Sequence, residues 1–241
     1  MKSNMFKWLS IAGAVSSLVV FSGCGVMDEV VRALSGNQQY INKETVAAGL
    51  KEALTVGAGN AVAQTSKEGG YWKDPDLRIP LPQELEKFAD ALRGAGLGAE
   101  VELLEKKMNE GAETAAASAA PIFMAAIKNM TISDAKGILK GSNSAATDYF
   151  RGKTYNLLKK QYSPVIKKEL EQVGAVKLYN ELYEKYIQIP LVTKPDVKLE
   201  DYVTEKALDG LFSVVANEER RIRQDPAART SDLLWKVFAQ Q

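Results

Sequence analysis

The chain has 241 residues, 31 Lys/Arg against 30 Asp/Glu, no histidine and a single cysteine. With 46% hydrophobic and 25% charged residues it has the composition of an ordinary globular protein, long enough for one domain or two packed subdomains. Near-neutrality leaves no electrostatic footprint for nucleic acid, no basic block marks a lipid-binding patch, and the missing histidine excludes His-based triads, HExxH zinc sites and His-ligated metals.

The first 23 residues have the layout of an export signal. Lys2 and Lys7 provide the positive start, and the apolar stretch from Trp8 to Phe21 is 14 residues long, short of the roughly 20 that span a bilayer. Ser22-Gly23-Cys24 resembles the lipobox of bacterial prolipoproteins, with Phe21 where leucine is usual. The resemblance implies removal of residues 1–23 and lipid attachment at Cys24. Gly25, rather than Asp, follows the cysteine, which by enteric-type sorting implies the periplasmic face of the outer membrane. With no second cysteine, the exported chain has no internal disulfide and depends on its core for stability. Residues 24–41 read as a flexible tether reaching roughly 20 Å.

From Asn42, a candidate helix cap, to the end at 241, the spacing predicts one helical domain. Val46, Leu50, Ala53, Leu54, Ala58 and Ala61 share one helix face, and Gly69-Gly70 ends that element. Arg78-Ile-Pro-Leu-Pro82 is predicted to be an extended loop, because each residue before a proline disfavours helix. Pro82 then opens a helix carrying Leu85, Phe88, Ala89 and Leu92, ended by Gly94 and Gly96. A long helix from about Gly98 places Val101, Leu104, Met108, Ala112 and Ala115–Ala117 inward, and Pro121 kinks or restarts it. Thr131 or Ser133 caps a short helix over 134–140. Ser144 opens the next, and Ser163-Pro164 reads as the cap and first-turn proline of a further one ending near Gly174. Helices over 176–187 and 199–223 follow, with a loop at 190–195 and a short capped helix from Thr230. A weak alternation at 187–193 is the one strand-like stretch. The expected fold is all-α, a compact bundle of about 8–10 helices.

Several strings carry a family resemblance. They include Gly49-Leu-Lys-Glu-Ala-Leu54, Arg78-Ile-Pro-Leu-Pro82, Met108-Asn-Glu-Gly-Ala-Glu113 and Ala145-Ala-Thr-Asp-Tyr-Phe-Arg151. The most distinctive is Tyr202-Val-Thr-Glu-Lys-Ala-Leu-Asp-Gly-Leu-Phe212, with Pro226-Ala-Ala-Arg-Thr230 beyond it. From about residue 43 to 239 the chain resembles the bacterial family catalogued as domain of unknown function 4197. The resemblance implies an exported, mostly helical domain and carries no activity with it.

Two groups of residues are candidates for function. Tyr71, Trp72 and Arg78 form a candidate binding surface for sugar, peptide or a partner protein, if the aromatics stay exposed; the alternative is that they fold down on the bundle. Asn109, Glu113, Arg151, Asp209, Glu218 and Arg223 form a candidate polar site. Asn109 and Glu113, like Glu205 and Asp209, are four apart and share a helix face. Carboxylates from such pairs facing one cleft at about 5–10 Å would suit glycosidic-bond hydrolysis. The ordinary alternative is that Glu113 and Asp209 cap helices or pair with Arg78, Arg151 or Arg223. Glu219 and Arg223, at i,i+4, read as a salt-bridged helix face. Gly152-Lys-Thr154 and Ser133-Asp-Ala-Lys136 match only fragments of the phosphate loop and of the penicillin-binding signature, and neither is kept. The expectation is a lipid-anchored binding or scaffold module without metal or cofactor. Its partners are the membrane, through Cys24, and an envelope protein or cell-wall component, not nucleic acid. Alternatives are a carboxylate hydrolase of cell-wall polymer and a carrier of an apolar ligand within the bundle.

Overall fold

The computed structural model describes residues 43–229 together with 231 and 235. The expected signal peptide and tether, Cys24, Asn42 as an expected cap and the helix expected from Thr230 therefore lie outside the described residues. Among the described residues there are eight α-helices, two short 3₁₀ turns and no strand, and 187–193 is a loop.

The helices are α1 (Lys43–Ser66), α2 (Glu86–Gly94), α3 (Gly98–Ala116), α4 (Ala119–Lys128), α5 (Ile132–Lys140), α6 (Ala145–Gln172), α7 (Ala175–Tyr186) and α8 (Leu199–Gln224). The long helix α8 packs against both α1 and α6, and α3 also touches all three. Shorter α4 and α5 close the α1 and α6 side, while α2 and α7 pack on α3 and on each other. The 3.6-residue apolar stripes supply the reason: Leu50, Ala53, Ala58 and Ala61 of α1, and Val203, Ala207, Leu211 and Val215 of α8, are all buried. Phe123 of α4 meets Phe150 of α6 and Phe212 of α8 at ring-centroid distances of 5.6 and 5.8 Å, joining three helices at one point. Burying each such ring contributes about 1.5–3 kcal/mol.

Local signals set most of the boundaries. A break at 117–118 separates α3 from α4, and Pro121 is the third residue of α4, where a missing N–H leaves no helix bond unmade. Ala117 is exposed in that break, unlike Ala115 and Ala116. Thr131, not Ser133, caps α5. The Asp134 N–H donates to the Thr131 hydroxyl, the Thr131 N–H donates back to the Asp134 carboxylate, and the helix begins two residues earlier than expected. Those bonds from Thr131 hold the Asp134 carboxyl below its usual range.

One boundary is corrected. Ser163-Pro164 does not start a helix, because α6 runs unbroken through Pro164. Tyr162 and Ile166 on either side are fully buried, while Pro164 is exposed. Continuous packing of the inner face outweighs one lost backbone bond on the outer face.

Two buried tyrosines tie helices through their hydroxyls. Tyr71 donates to the Ala207 carbonyl at 2.7 Å and Tyr162 to the Ala116 carbonyl at 3.0 Å. Burial pushes both phenols well above the ordinary tyrosine range, so in the folded state they stay protonated where unfolded tyrosines ionise. This contribution to stability is complete below about pH 10 and is lost as pH rises through the folded-state values, by about 1.4 kcal/mol per pH unit per group. Urea midpoints should therefore hold level through neutral pH and fall in the alkaline range. A Tyr71→Phe/Tyr162→Phe variant should show a shallower alkaline fall, and an unchanged slope would contradict this assignment.

Candidate functional site

Three positions one helical turn apart on α3, Glu105, Asn109 and Glu113, hold the loop that connects α1 to α2. The loop needs both its glycines. Gly69 has φ +76°, and a Cβ on Gly70 would lie 2.4 Å from the Gln64 carbonyl oxygen. The tight turn they allow directs three backbone N–H groups, from Gly69, Tyr71 and Trp72, at the Glu113 carboxylate, at 2.9, 3.0 and 2.9 Å. Glu113 is 5% exposed. Farther along, Asn109 grips Ile79 at two points: its side-chain oxygen accepts the Ile79 N–H and its amide donates to the Ile79 carbonyl, each at 2.8 Å. Glu105 takes the Arg78 guanidinium at 3.1 Å. Tyr202 of α8 adds a bond to the Pro80 carbonyl at 3.0 Å.

The aromatics of this loop part company. Tyr71 is fully buried, so the expectation that it belongs to an exposed binding surface is corrected: its phenol penetrates to α8 and its ring lies against Gly210. A Cβ at position 210 would sit 2.8 Å from the Tyr71 ring. Gly210→Ala should accordingly cost about 1–3 kcal/mol by overpacking, read as a lowered urea midpoint. Trp72 is half-buried and carries the Arg78 guanidinium 3.8 Å above its ring. Trp72 also lines a groove of about 510 Å³ with Glu68, Lys73, Lys106, Glu110 and Thr114, and the Glu113 side chain forms part of its wall.

The six residues of the candidate polar site fall into four sets with different partners. Asn109 and Glu113 belong to the loop clamp. Arg151 of α6 places both terminal nitrogens 3.1 Å from one oxygen of Asp209 on α8, an exposed pair of modest energetic value. Glu218 accepts from Asn60 of α1 at 2.7 Å and from Arg221 at 2.9 Å, and Arg223 bonds Glu219 and the Ile138 carbonyl. Glu205 is paired with Lys159 at 2.6 Å. Among the described residues no group of three or more acidic side chains is arranged to hold a metal ion.

Two important residues stand outside the expected set. Glu105 was recognisable only as the next ridge position before Asn109. Glu219, read as half of a salt-bridged face, is 7% exposed and caps α6 from a different helix. It accepts the N–H groups of Ala146 and Thr147 and the Thr147 hydroxyl at 3.0, 2.9 and 2.8 Å. The same carboxylate takes Arg223 through Nε and a terminal nitrogen at 3.0 and 2.9 Å. Ser144 opens α6 as expected, and its hydroxyl donates to Asp148 at 2.9 Å. An apolar crevice beside this cap, between α1, α6 and α8, has a volume of about 20 Å³, room for a single water and not for an acyl chain.

No curated protein and no solved structure matches the chain. A family model does match, across residues 40–239, and it spans every helix described above. The chain therefore belongs to the family described as Protein of unknown function (DUF4197).

Proposed function

We propose that this is a lipid-anchored protein of the bacterial cell envelope, its helical body a non-enzymatic binding or scaffold module facing the periplasm from the outer membrane. The anchoring half of this reading rests on the sequence of residues 1–25, with acylation at Cys24. The binding half is carried by one observation: the groove beside Trp72 combines an aromatic wall with lysine and glutamate side chains and the Thr114 hydroxyl. A wall of that kind suits a polar ligand such as a cell-wall glycan or peptide, or a partner segment of mixed charge. The buried carboxylates, by contrast, are engaged. Glu113 receives three backbone N–H groups and Glu219 receives two more with a hydroxyl and a guanidinium.

The test compares the mature chain with a Trp72→Ala/Arg78→Ala variant for retention on purified peptidoglycan and capture of partners from envelope extracts. The native protein should retain a specific set that the variant loses. Identical recovery from both proteins and a blank resin would overturn the binding reading. Release of soluble muropeptides by the purified protein would replace it with the hydrolase.

A further inference from the structure

Charge that nearly cancels over the whole chain does not cancel locally. Residues 149–168 contain six Lys/Arg and no Asp/Glu, and all lie on α6. Two of the six are neutralised by α8, through Arg151–Asp209 and Lys159–Glu205. Lys153 stands 5.7 Å from the Tyr149 ring centre and in the field of Asp134. Lys160, Lys167 and Lys168 are exposed, or nearly so, without a side-chain partner among the described residues.

Helical winding gathers these lysines. Positions 153, 157, 160, 164 and 167 fall on one stripe about 21 Å long, at 1.5 Å per residue. All five are exposed, whereas Thr154, Leu158, Tyr162 and Ile166 on the other side are buried. Leu157, 48% exposed, stands between Lys153 and Lys160. Asp148 and Glu169 bound the run in sequence, and Glu171 follows Lys167 one turn on. No contiguous basic block marks this face in the sequence; the helix gathers the lysines. Apolar core residues separate the lysines in sequence, and acidic residues elsewhere hide them in the net charge.

We propose that the outward face of α6 docks onto an anionic phospholipid bilayer, the membrane that holds the anchor. Charge complementarity is the main argument, since each lysine brought near an anionic surface adds to binding. Leu157 offers an apolar contact at the centre of the stripe, as interfacial helices do. Tyr149 lies beside Lys153 at one end, but no aromatic residue occupies positions 157, 160, 164 or 167, and one ring falls short of the series on which successive bases of a single strand stack. A tether reaching roughly 20 Å would keep the body within contact range and raise its effective concentration there. That last point rests on the anchoring reading; the charge argument does not.

The experiment therefore omits the anchor. The mature chain from residue 24, carrying Cys24→Ser, is floated with vesicles of phosphatidylethanolamine containing one quarter phosphatidylglycerol, and separately with phosphatidylcholine vesicles. Binding is expected to the anionic vesicles, weakening with added salt. Lys160→Glu/Lys167→Glu/Lys168→Glu should lower it by at least about tenfold. A control reversing three exposed lysines elsewhere, Lys87→Glu/Lys185→Glu/Lys194→Glu, should change it by no more than about twofold on the same reasoning. Circular dichroism and a melting curve establish that both variants fold. No flotation, equal binding to phosphatidylcholine, equal loss in the control, or binding confined to nucleic acid or acidic proteins would overturn the proposal. Failure of the anchor itself is read separately, from the mass of the Cys24 peptide.

Discussion

Glu219→Ala should destabilise the domain by about 3–5 kcal/mol, the largest effect expected of any polar substitution in this protein. The substitution removes the acceptor for the Ala146 and Thr147 N–H groups, which leaves the first turn of α6 uncapped. It also strips from Arg223, whose side chain is 6% exposed, the carboxylate that takes two of its N–H groups at 3.0 and 2.9 Å. Either loss alone costs about 1–3 kcal/mol. Glu219→Gln, which keeps acceptor oxygen but not charge, should fall between the two. Urea denaturation measures both. In a double-mutant cycle, Glu219→Ala combined with Arg223→Ala should cost less than the sum of the single changes, because both remove the same contact. A loss below about 1 kcal/mol for Glu219→Ala would show that the buried cluster contributes little.

Glu113→Ala should cost nearly as much, about 3–4 kcal/mol, but with a local signature. Its three backbone donors would be left facing a nearly dry interior. Without the carboxylate the 67–82 loop loses its three bonds to this end of α3, and Tyr71 is left held by its bond to Ala207. Amide exchange at Gly69, Tyr71 and Trp72 should therefore accelerate far more than exchange along α6. Uniform acceleration across the domain, or none, would contradict the clamp.

Both effects come from residues whose type was visible in the sequence and whose role was not. Apolar periodicity located every helix, because a stripe such as Leu50, Leu54, Ala58 and Ala61 is written into the order of residues. Prolines and glycines placed most ends. Pro164 misled because its cost is local, while the packing that overrides it comes from partners remote in sequence. Ser144 opens α6 as expected, but nothing local foretold that Glu219, 75 residues later, binds the N–H groups of its first turn. The six candidate polar residues were grouped by spacing, yet spacing along one helix says nothing about which other element each residue faces. Tyr71 and Trp72 show the limit most directly. They are adjacent, and one is fully buried while the other borders a groove. The lysines of α6 needed the fold for the opposite reason, since only burial of the intervening face makes them a patch.

If the body acts through the groove beside Trp72, as proposed, site-specific photo-crosslinking in living cells should capture what binds there. A photoreactive residue replacing Lys106, exposed at the groove, is compared with one replacing Lys136, exposed on α5. The account predicts a discrete crosslink to an envelope component from position 106, absent from position 136 and lost with Trp72→Ala. No crosslink from position 106, or the same products from both positions, would contradict it.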